Sequence, residues 1–373
     1  MKYLLTSFFL ITTAIIGFCQ ELTVVADLQD STLETSGLIY LDGRLITHND
    51  SGGDPILYEL DSVTGHVSRT VVIDNASNTD WEDICYDDTY IYIADFGNNA
   101  GARTDLKVYR LLISDYLTTP NDTVSVDTIN FSYLDQIDFT PSLYTTNFDA
   151  EAIISYQDTL LIFTKNWGNN WTNVYALPKN PGTYQVTLID SVNAQGLVSG
   201  ASYNDVTNTV ALCGYTFTDP FIVEISSFTS TDFSGAIVNR HGLSVPAGKS
   251  IQVEGITWFQ NDQCYLTAEL NFNGGTPTLY RVEMSTLSNS PLELNEVLIY
   301  PNPNRGAFYI QSQLALAEGE ISVIDMTGKN VYHKLLEENT INTKINLNSV
   351  VPGIYIINVQ VGNNSYNNSM IID

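Results

Sequence analysis

Three glutamates stand at corresponding places in a repeating pattern and are the side chains best suited to chemistry. Glu82, Glu151 and Glu254 each begin an apolar, strand-like run. Carboxylates that converge repel one another unless a cation or a proton offsets their charge, and hard oxygen ligands suit Ca²⁺. We therefore predict that the three form a calcium site or, as catalytic residues, supply a general acid/base pair. The alternative is structural, with each glutamate capping a neighbouring strand or a backbone amide.

Polar loops that follow the second strand of each repeat supply candidates for ligand binding. These candidates are His48, Asp50, Asp95, Asn98, Arg103, Lys165 and Trp167. Arg103 and Lys165 suit a phosphate or a carboxylate, and the indole of Trp167 suits a sugar ring. Loops longer than a turn requires usually carry function. The alternatives are surface salt bridges for the basic residues and packing against a neighbouring repeat for Trp167.

The elements that must position these residues form a repeat of about fifty residues. Short runs with period-two alternation are bounded by Asp, Asn and Gly, and no sustained helical period occurs between residues 20 and 294. First strands begin near residues 36, 82, 151, 200 and 254, and each is followed by a tight polar turn. Fourth strands are predicted at residues 67–73, 127–133, 184–189 and 236–239. Four antiparallel strands per repeat is the arrangement of a β-propeller blade, so the sequence predicts an all-β fold.

The number of repeats predicts a five-bladed β-propeller over residues 20–284. The fifth repeat lacks a fourth strand, which residues 22–26 could supply, closing the ring and removing an exposed edge. The interval from Glu82 to Glu151 is the longest and could hold extra strands, so six blades is the alternative. Residues 285–294, small and polar with Pro291, predict a linker, and residues 295–373 predict a small β-sandwich.

Charge and the N-terminal segment limit the compartment and the partners. The formal net charge of −27 argues against nucleic acid and anionic membranes as partners and suits divalent cations. Residues 1–19 combine Lys2 with an apolar run and small residues before Gln20, which predicts a secretory signal peptide. No other stretch approaches the length of a membrane span, so we expect no transmembrane anchor in the mature chain. We also expect a monomer.

The C-terminal region carries three motifs in a characteristic order. They are IYPNPNRG at 299–306, ISVIDMTGK at 321–329 and VPGIYIINV at 351–359. This region resembles the type A C-terminal sorting domain of the type IX secretion system of Bacteroidetes. The resemblance implies a small β-sandwich, the type IX machinery as a partner, and export through the periplasm to the medium or the outer cell surface. The chain departs from the family by ending in an acidic residue, Asp373, where members often end in a basic one.

The preceding region carries a second resemblance. Residues 36–52 and 80–103 hold blocks such as THNDSG and DWEDI, continued by FDAEA at 148–152 and VEGI at 253–256. With these motifs, residues 22–284 resemble bacterial phytase-like propeller proteins, the group named for esterase-like activity of phytase. The resemblance implies the fold more than an activity. The sequence has no GxSxG elbow, no HExxH motif and no zinc-type Cys/His spacing.

Three functions follow as hypotheses. The first is a secreted or surface β-propeller that binds a glycan or a small anion at the mouth of its channel, together with Ca²⁺. The second is a calcium-dependent phosphoester hydrolase, with the three glutamates holding metal and Arg103 and Lys165 neutralising phosphate. The third is a structural or adhesive surface protein with an inert channel.

Overall fold

The structure is a computed structural model that describes most of the chain. The described residues are 20–216, 219–270, 275–284, 297–300, 302, 304–316, 319–325, 329–336, 340–347, 350–361 and 364–372. The predicted signal peptide (1–19) and the predicted linker (285–294) lie outside the described residues. Strands make up nearly all the regular structure of the described part, which confirms the all-β prediction. The described helices are short, a 3-10 turn at Asp30–Thr32 and an α-helix at Ile113–Thr118.

Five antiparallel sheets, each built on four strands, account for residues 23–283. The first sheet contains Thr35–Leu41, Arg44–Asn49, Ile56–Leu60 and Val67–Ile73. The second contains Trp81–Tyr86, Tyr90–Asp95, Lys107–Leu112 and Asp127–Tyr133. The third contains Ala150–Tyr156, Thr159–Thr164, Thr172–Pro178 and Leu188–Val192. The fourth contains Leu197–Asn204, Thr209–Tyr215, Pro220–Ser226 and Ile237–Ser244. The fifth contains Val253–Gln260, Gln263–Ala268, Thr278–Glu283 and Thr23–Asp27.

Burial along the strands explains why first and fourth strands differ in sequence. Trp81–Tyr86, a first strand, is buried at five consecutive positions, whereas Val67–Ile73, a fourth strand, is mostly half-buried or exposed. A strand that is covered on both faces has a continuous run of apolar residues, whereas a strand with one solvated face alternates apolar and polar residues. The first strands therefore lie innermost and the fourth strands outermost in their sheets.

Contacts between first strands arrange the five sheets in a ring. Each first strand contacts that of the next sheet, and that of the fifth sheet contacts that of the first. The approach is close enough that a Cβ on Gly37 would lie 2.5 Å from the backbone nitrogen of Ile84, so only glycine fits there. Buried Asp83 joins three first strands by accepting the backbone N–H groups of Ile153 (2.8 Å) and Ala201 (3.1 Å).

The N-terminal strand completes the fifth sheet. Thr23–Asp27 pairs antiparallel with Thr278–Glu283, and Leu22 is buried beside Tyr280 in an apolar cluster. Burying a leucine side chain contributes about 1.5–3 kcal/mol, which helps to hold this strand in place. The pairing matches the expectation that residues 22–26 supply the missing fourth strand.

Three short strands extend the sheets at their outer edges. Gln20–Glu21, Thr123–Val124 and Gly182–Val186 pair in parallel with the outermost strands of the fourth, first and second sheets. The interval from Glu82 to Glu151, all of it described, holds Thr123–Val124 and the α-helix but no additional sheet. A fourth strand expected at residues 184–189 is replaced by two strands, Gly182–Val186 and Leu188–Val192, which join different sheets. Outer strands depend on which neighbour they meet, so local sequence defines them poorly.

The C-terminal region contains two further sheets. One contains Val297–Tyr300, Ala307–Leu316 and Thr340–Asn346. The other contains Asn330–Leu336, Gly319–Asp325, Gly353–Val361 and Asn364–Ile372. Buried residues of both sheets, among them Phe308, Ile345, Ile321 and Ile357, form one apolar cluster.

Within the described part of the chain, none of the helices has the length and apolar character needed to cross a membrane.

Candidate functional site

Carboxylates from several sheets gather at one end of the ring. We call this group, formed by Asp50, Asp80, Glu82, Glu151 and Glu254, the acidic mouth. Asp50 directly follows the second strand of the first sheet, whereas the three glutamates lie on first strands of the second, third and fifth sheets. The charges of Asp50, Glu151 and Asp80 all act on Glu82, so these loops and strand ends face one another.

Three members of the acidic mouth lie closest together. One oxygen atom from each of Asp50, Asp80 and Glu82 lies within 4.8 Å of the other two, and we call these residues the carboxylate triad. Glu82 is buried, whereas Asp50 and Asp80 are half-buried. The triad is therefore partly open to solvent. Among the described residues, the triad is the group of potential metal ligands whose atoms lie within this distance of one another. The expected set of Glu82, Glu151 and Glu254 does not meet it.

The backbone around the triad is held in place by side-chain hydrogen bonds. The amide of Asn78 donates to the carbonyl oxygens of Asn49 (3.1 Å) and Asp50 (2.6 Å), fixing the first-sheet loop against the second sheet. The backbone N–H of Asp80 donates to Asp95 Oδ1 at 3.2 Å. The loops that carry Asp50 and Asp80 are thus held in position without a bound ligand.

Gly97 leaves the space in which two of the carboxylates sit. A Cβ at this position would overlap Glu82 Oε1 and would lie 2.5 Å from Asp80 Oδ2. Backbone N–H groups of Phe96 and Gly97 donate to the carbonyl oxygen of Asp80 at 3.1 and 3.2 Å. The absence of a side chain at residue 97 therefore allows the carboxylates of Asp80 and Glu82 to lie against the backbone.

The electrostatics of the triad favour neutralisation. Burial, followed by the charges of Asp80 and Glu254, raises the pKa of Asp50 to about 7. Burial and the charge of Asp149 raise the pKa of Asp80 to about 6. Burial raises the pKa of Glu82 well above its usual value, with the neighbouring carboxylates adding to it. Asp50 Oδ1 is also buried without a hydrogen-bond partner among the described residues. These carboxylates would be stabilised in their charged form by a cation.

The other part of the acidic mouth already contains a cation. Lys165 Nζ lies 3.1 Å from Glu151 Oε1, and both side chains are buried. The ammonium group also lies 5.3 Å from the ring centres of both Trp167 and Tyr215. Burial opposes the charge of Lys165, but Glu151 and Glu254 hold its pKa well above the usual value. Lys165 is therefore the internal counterion of this part.

Glu254 takes part in a second carboxyl pair. The amide of Gln252 donates to Glu254 Oε1 at 3.0 Å and also to Glu269 Oε1. Burial and the charge of Glu254 raise the pKa of Glu269 to about 10. The neutral form of Glu269 is therefore favoured, and this form lowers the negative charge beside Glu254.

Several predicted ligand-binding residues take part in hydrogen bonds within the protein beside the acidic mouth. Arg103 donates to buried Asp95 Oδ1 (2.9 Å), to Asp105 Oδ1 (3.1 Å) and to the carbonyl oxygen of Gly97 (2.9 Å). Asn98 donates to the carbonyl oxygen of Phe148 at 3.1 Å. The resulting network holds the loop that contains Gly97.

His48 and Trp167 differ in how far they reach solvent. His48 is fully buried, its ring lies edge-on to Trp81 at 5.5 Å, and burial lowers its pKa to about 4. It is therefore a neutral interior side chain at physiological pH. Trp167 is half-buried, and its indole N–H donates to Asp149 Oδ2 at 2.7 Å.

Sequence reasoning gave no role to two residues that the structure places at the acidic mouth. Asp80 directly precedes the strand that carries Glu82, and this place in the same entering loop is the signal that could have identified it. Glu269 follows the second strand of the fifth sheet, as Asp50 does in the first sheet. That repeat position was the available signal for Glu269.

Comparison with known families identifies the C-terminal region. Residues 298–373 match the family described as the secretion system C-terminal sorting domain. This confirms the resemblance of the tail to a type IX sorting domain. The protein is therefore exported by the type IX secretion system and is secreted or held at the cell surface. No curated protein matches the chain.

Solved structures provide only distant matches. The PQQ-bound aldose sugar dehydrogenase of Streptomyces coelicolor is 12% identical over 71% of this chain and 98% of its own, with a TM-score of 0.40. The GH43_1 enzyme of Xanthomonas citri is 10% identical over 70% and 90%, with a TM-score of 0.41. The exo-β-1,3-galactanase of Phanerochaete chrysosporium is 11% identical over 94% and 98%, with a TM-score of 0.42. Likeness at this level carries no information about activity or ligand.

Proposed function

We propose that this exported protein binds a divalent cation, Ca²⁺, at the carboxylate triad and uses it to bind a ligand at the acidic mouth. The observation that carries the proposal is the approach of Asp50, Asp80 and Glu82 oxygens to within 4.8 Å of one another. Such an approach is unfavourable for three ionised carboxylates without a cation or protons between them.

The spacing of the oxygens suits calcium. Two ligand oxygens bonded to one Ca²⁺ at about 2.3–2.6 Å are at most about 5 Å apart. The triad meets this limit, and its donor set consists only of hard carboxylate oxygens. The unpartnered Asp50 Oδ1 adds support, because it is a buried acceptor without a donor among the described residues.

The half-buried side of the triad supports the second part of the proposal. A Ca²⁺ ion takes six to eight oxygen ligands, more than three monodentate carboxylates supply. The cation would supply attraction for oxygen atoms of a ligand, while Asp50, Asp80 and Glu82 hold the cation. The ligand classes expected from the sequence, a glycan or a small anion, both offer such oxygens.

We propose that the ring of five sheets is a five-bladed β-propeller and that the tail is a β-sandwich. Five sheets whose first strands contact one another in a closed cycle support the first assignment. A single apolar cluster shared by two sheets supports the second. The N-terminal strand in the fifth sheet acts as the closure of the ring.

The phosphoester hydrolase hypothesis has less support. Hydrolysis of this type requires cationic groups to neutralise the phosphate, and Arg103 and Lys165 both bond to carboxylates.

The proposal is tested by calcium titration of the mature chain followed by isothermal calorimetry and thermal unfolding. We expect one bound Ca²⁺ per chain and an increase in Tm, because a ligand that binds only the folded state stabilises it. Asp80→Asn should abolish both effects. Asp54→Asn is the matched control, since Asp54 is an exposed aspartate of the same loop as Asp50 and lies outside the triad. Absence of binding by the wild type, or binding that persists in Asp80→Asn, would contradict the proposal.

A further inference from the structure

Two aromatic rings lie together beside the acidic mouth. The ring centres of Tyr144 and Trp167 are 4.7 Å apart, with a tilt of 56° between the planes. Tyr144 is 51% exposed and Trp167 is half-buried, so the pair is partly exposed to solvent. We call this pair the aromatic platform.

The aromatic platform is held rigidly by its own loops. The indole N–H of Trp167 donates to buried Asp149, and its backbone N–H donates to the carbonyl oxygen of Thr146 at 3.1 Å. Tyr144 donates its backbone N–H to the carbonyl oxygen of Asn99 at 3.1 Å. It also adopts a φ of +58°, a conformation that is strained for a tyrosine and common at ligand sites. A rigid surface loses little entropy when it binds a ligand.

The aromatic platform is next to the residues of the proposed cation site. Asp149 accepts the indole N–H of Trp167 through one oxygen and the backbone N–H of Asn98 through the other. Asn98 directly follows Gly97, which lies against Glu82 and Asp80. Lys165 Nζ lies 5.3 Å from the ring centre of Trp167 and 3.1 Å from Glu151 Oε1. These contacts connect the platform to the triad through Asp149, Asn98 and Gly97.

We propose that the aromatic platform stacks against a sugar ring, so that the ligand of the acidic mouth is a neutral carbohydrate. The inference rests on the proposed function, because hydroxyl groups of the same ligand would reach the cation at the triad. Aromatic faces bind the apolar face of a sugar ring, and the exposed polar residues Thr145 and Asn169 border the platform.

The charges around the aromatic platform select against an anionic sugar. Lys165 and Arg103, the nearby cations, bond to Glu151 and to Asp95 and Asp105 respectively. The chain has a formal net charge of −27, so its field repels anions. A neutral ligand avoids this repulsion, and a uronic acid does not.

The test uses the mature chain with Ca²⁺ and four oligosaccharide probes. The neutral probes are cellohexaose, laminarihexaose and mannohexaose, and the anionic probe is hexagalacturonic acid. Affinity is measured by calorimetry and by the fluorescence of tryptophan. We expect at least one neutral probe to bind more tightly than the anionic one. Trp167→Ala and Tyr144→Ala should each weaken that binding by roughly tenfold, about 1.4 kcal/mol.

Leu143→Ala is the matched control. Leu143 is 64% exposed and adjoins Tyr144, but it is not part of the aromatic platform, so its replacement should leave affinity unchanged. Trp167→Ala removes a hydrogen-bond donor from buried Asp149 and could therefore disturb the fold. Tyr144→Ala is the second variant because Tyr144 is exposed, so its removal leaves the buried structure unchanged. Circular dichroism confirms that each variant is folded.

Each outcome decides between the two proposals. Calcium binding without binding of any neutral probe overturns the platform and leaves the cation site intact. Binding of a neutral probe that depends on Tyr144 but survives EDTA and Asp80→Asn supports the platform and overturns the cation as its partner. Tighter binding of hexagalacturonic acid, or equal affinity in Tyr144→Ala and the wild type, overturns the platform.

Discussion

The two parts of the acidic mouth differ in whether a bonded basic side chain offsets the repulsion between neighbouring carboxylates. Glu151 and Glu254 share the ammonium group of Lys165, which lies 3.1 Å from Glu151. In the carboxylate triad one oxygen of each residue lies within 4.8 Å of the other two, and Lys165 acts on all three only through space, with no basic side chain bonded to them in the described structure. Glu151 has its counterion inside the protein, whereas we propose that the triad takes its cation from solution.

This difference, rather than position in the repeat, is our reason for proposing a cation at the triad and not at Glu151 and Glu254. Glu82, Glu151 and Glu254 occupy corresponding first strands, yet only Glu82 belongs to the triad. Its partners are Asp80, from the same strand entry, and Asp50, from a loop of the first sheet. Repeat equivalence therefore located the acidic mouth but did not predict which carboxylates lie closest together.

The largest expected effect comes from removing the internal counterion. Lys165→Met should destabilise the protein by about 3–5 kcal/mol, because it leaves Glu151 buried with no cation. Urea unfolding at neutral pH measures the change. Lys107→Met is the control, since that ammonium lies farther from its carboxylates, at 3.5 Å from Asp95 and 3.3 Å from Asp105. A free energy of unfolding for Lys165→Met close to that of the wild type would show that the ion pair with Glu151 does not stabilise the folded protein.

The next effect concerns the space beside the triad. Gly97→Ala should destabilise the protein by about 1–3 kcal/mol and abolish calcium binding, because the new methyl group displaces Glu82 and Asp80. Calorimetry and urea unfolding test both parts. Gly53→Ala should change neither, as the nearest atom to its Cβ would be 3.9 Å away. Normal calcium affinity in Gly97→Ala would contradict the placement of the cation.

A smaller effect is expected from pH. Asp50 and Asp80 hold their protons more tightly in the folded protein, with pKa values raised to about 7 and about 6. Without calcium, this stabilisation is present at low pH and is lost as pH rises from about 4 to about 7. Tm in EDTA should therefore fall over this range, and it should fall less in Asp50→Asn. Equal slopes for the two proteins would argue against the raised pKa of Asp50.

The smallest effect is expected at Asp105, the exposed end of the hydrogen-bond network around Arg103. Asp105 is 56% exposed where it bonds to Arg103. Asp105→Asn should change the free energy of unfolding by less than about 1 kcal/mol, because Arg103 keeps its bond to buried Asp95. Calcium affinity should not change. A loss of calcium binding in this variant would mean that the network does more than fix the loop.

Local patterns were sufficient to predict the main features of the fold. Period-two alternation and the recurrent first-strand starts predicted the inner strands and the closing strand at residues 22–26, which the structure places at Thr23–Asp27. These features depend on short-range sequence and on the need to cover each strand. The strand predicted at residues 184–189 was wrong because pairing with the second sheet, rather than local propensity, defines Gly182–Val186.

The candidate site could be predicted only in outline. Repeat position brought Glu82, Glu151 and Glu254 to one end of the ring, but distances between side chains from different sheets depend on strand bulges and loop paths. A bulge between Trp81 and Asp83, for example, displaces the start of the second sheet. The pairing of Lys165 with Glu151 arises from such geometry and has no signal in the sequence.

The most direct test of the central claim is a crystal structure of the mature chain soaked with calcium, with anomalous scattering recorded. We expect one anomalous peak at the carboxylate triad, with oxygens of Asp50, Asp80 and Glu82 at about 2.3–2.6 Å from it. Lys165 should remain bonded to Glu151. The absence of a peak at the triad, or a peak between Glu151 and Glu254 with Lys165 displaced, would contradict the account.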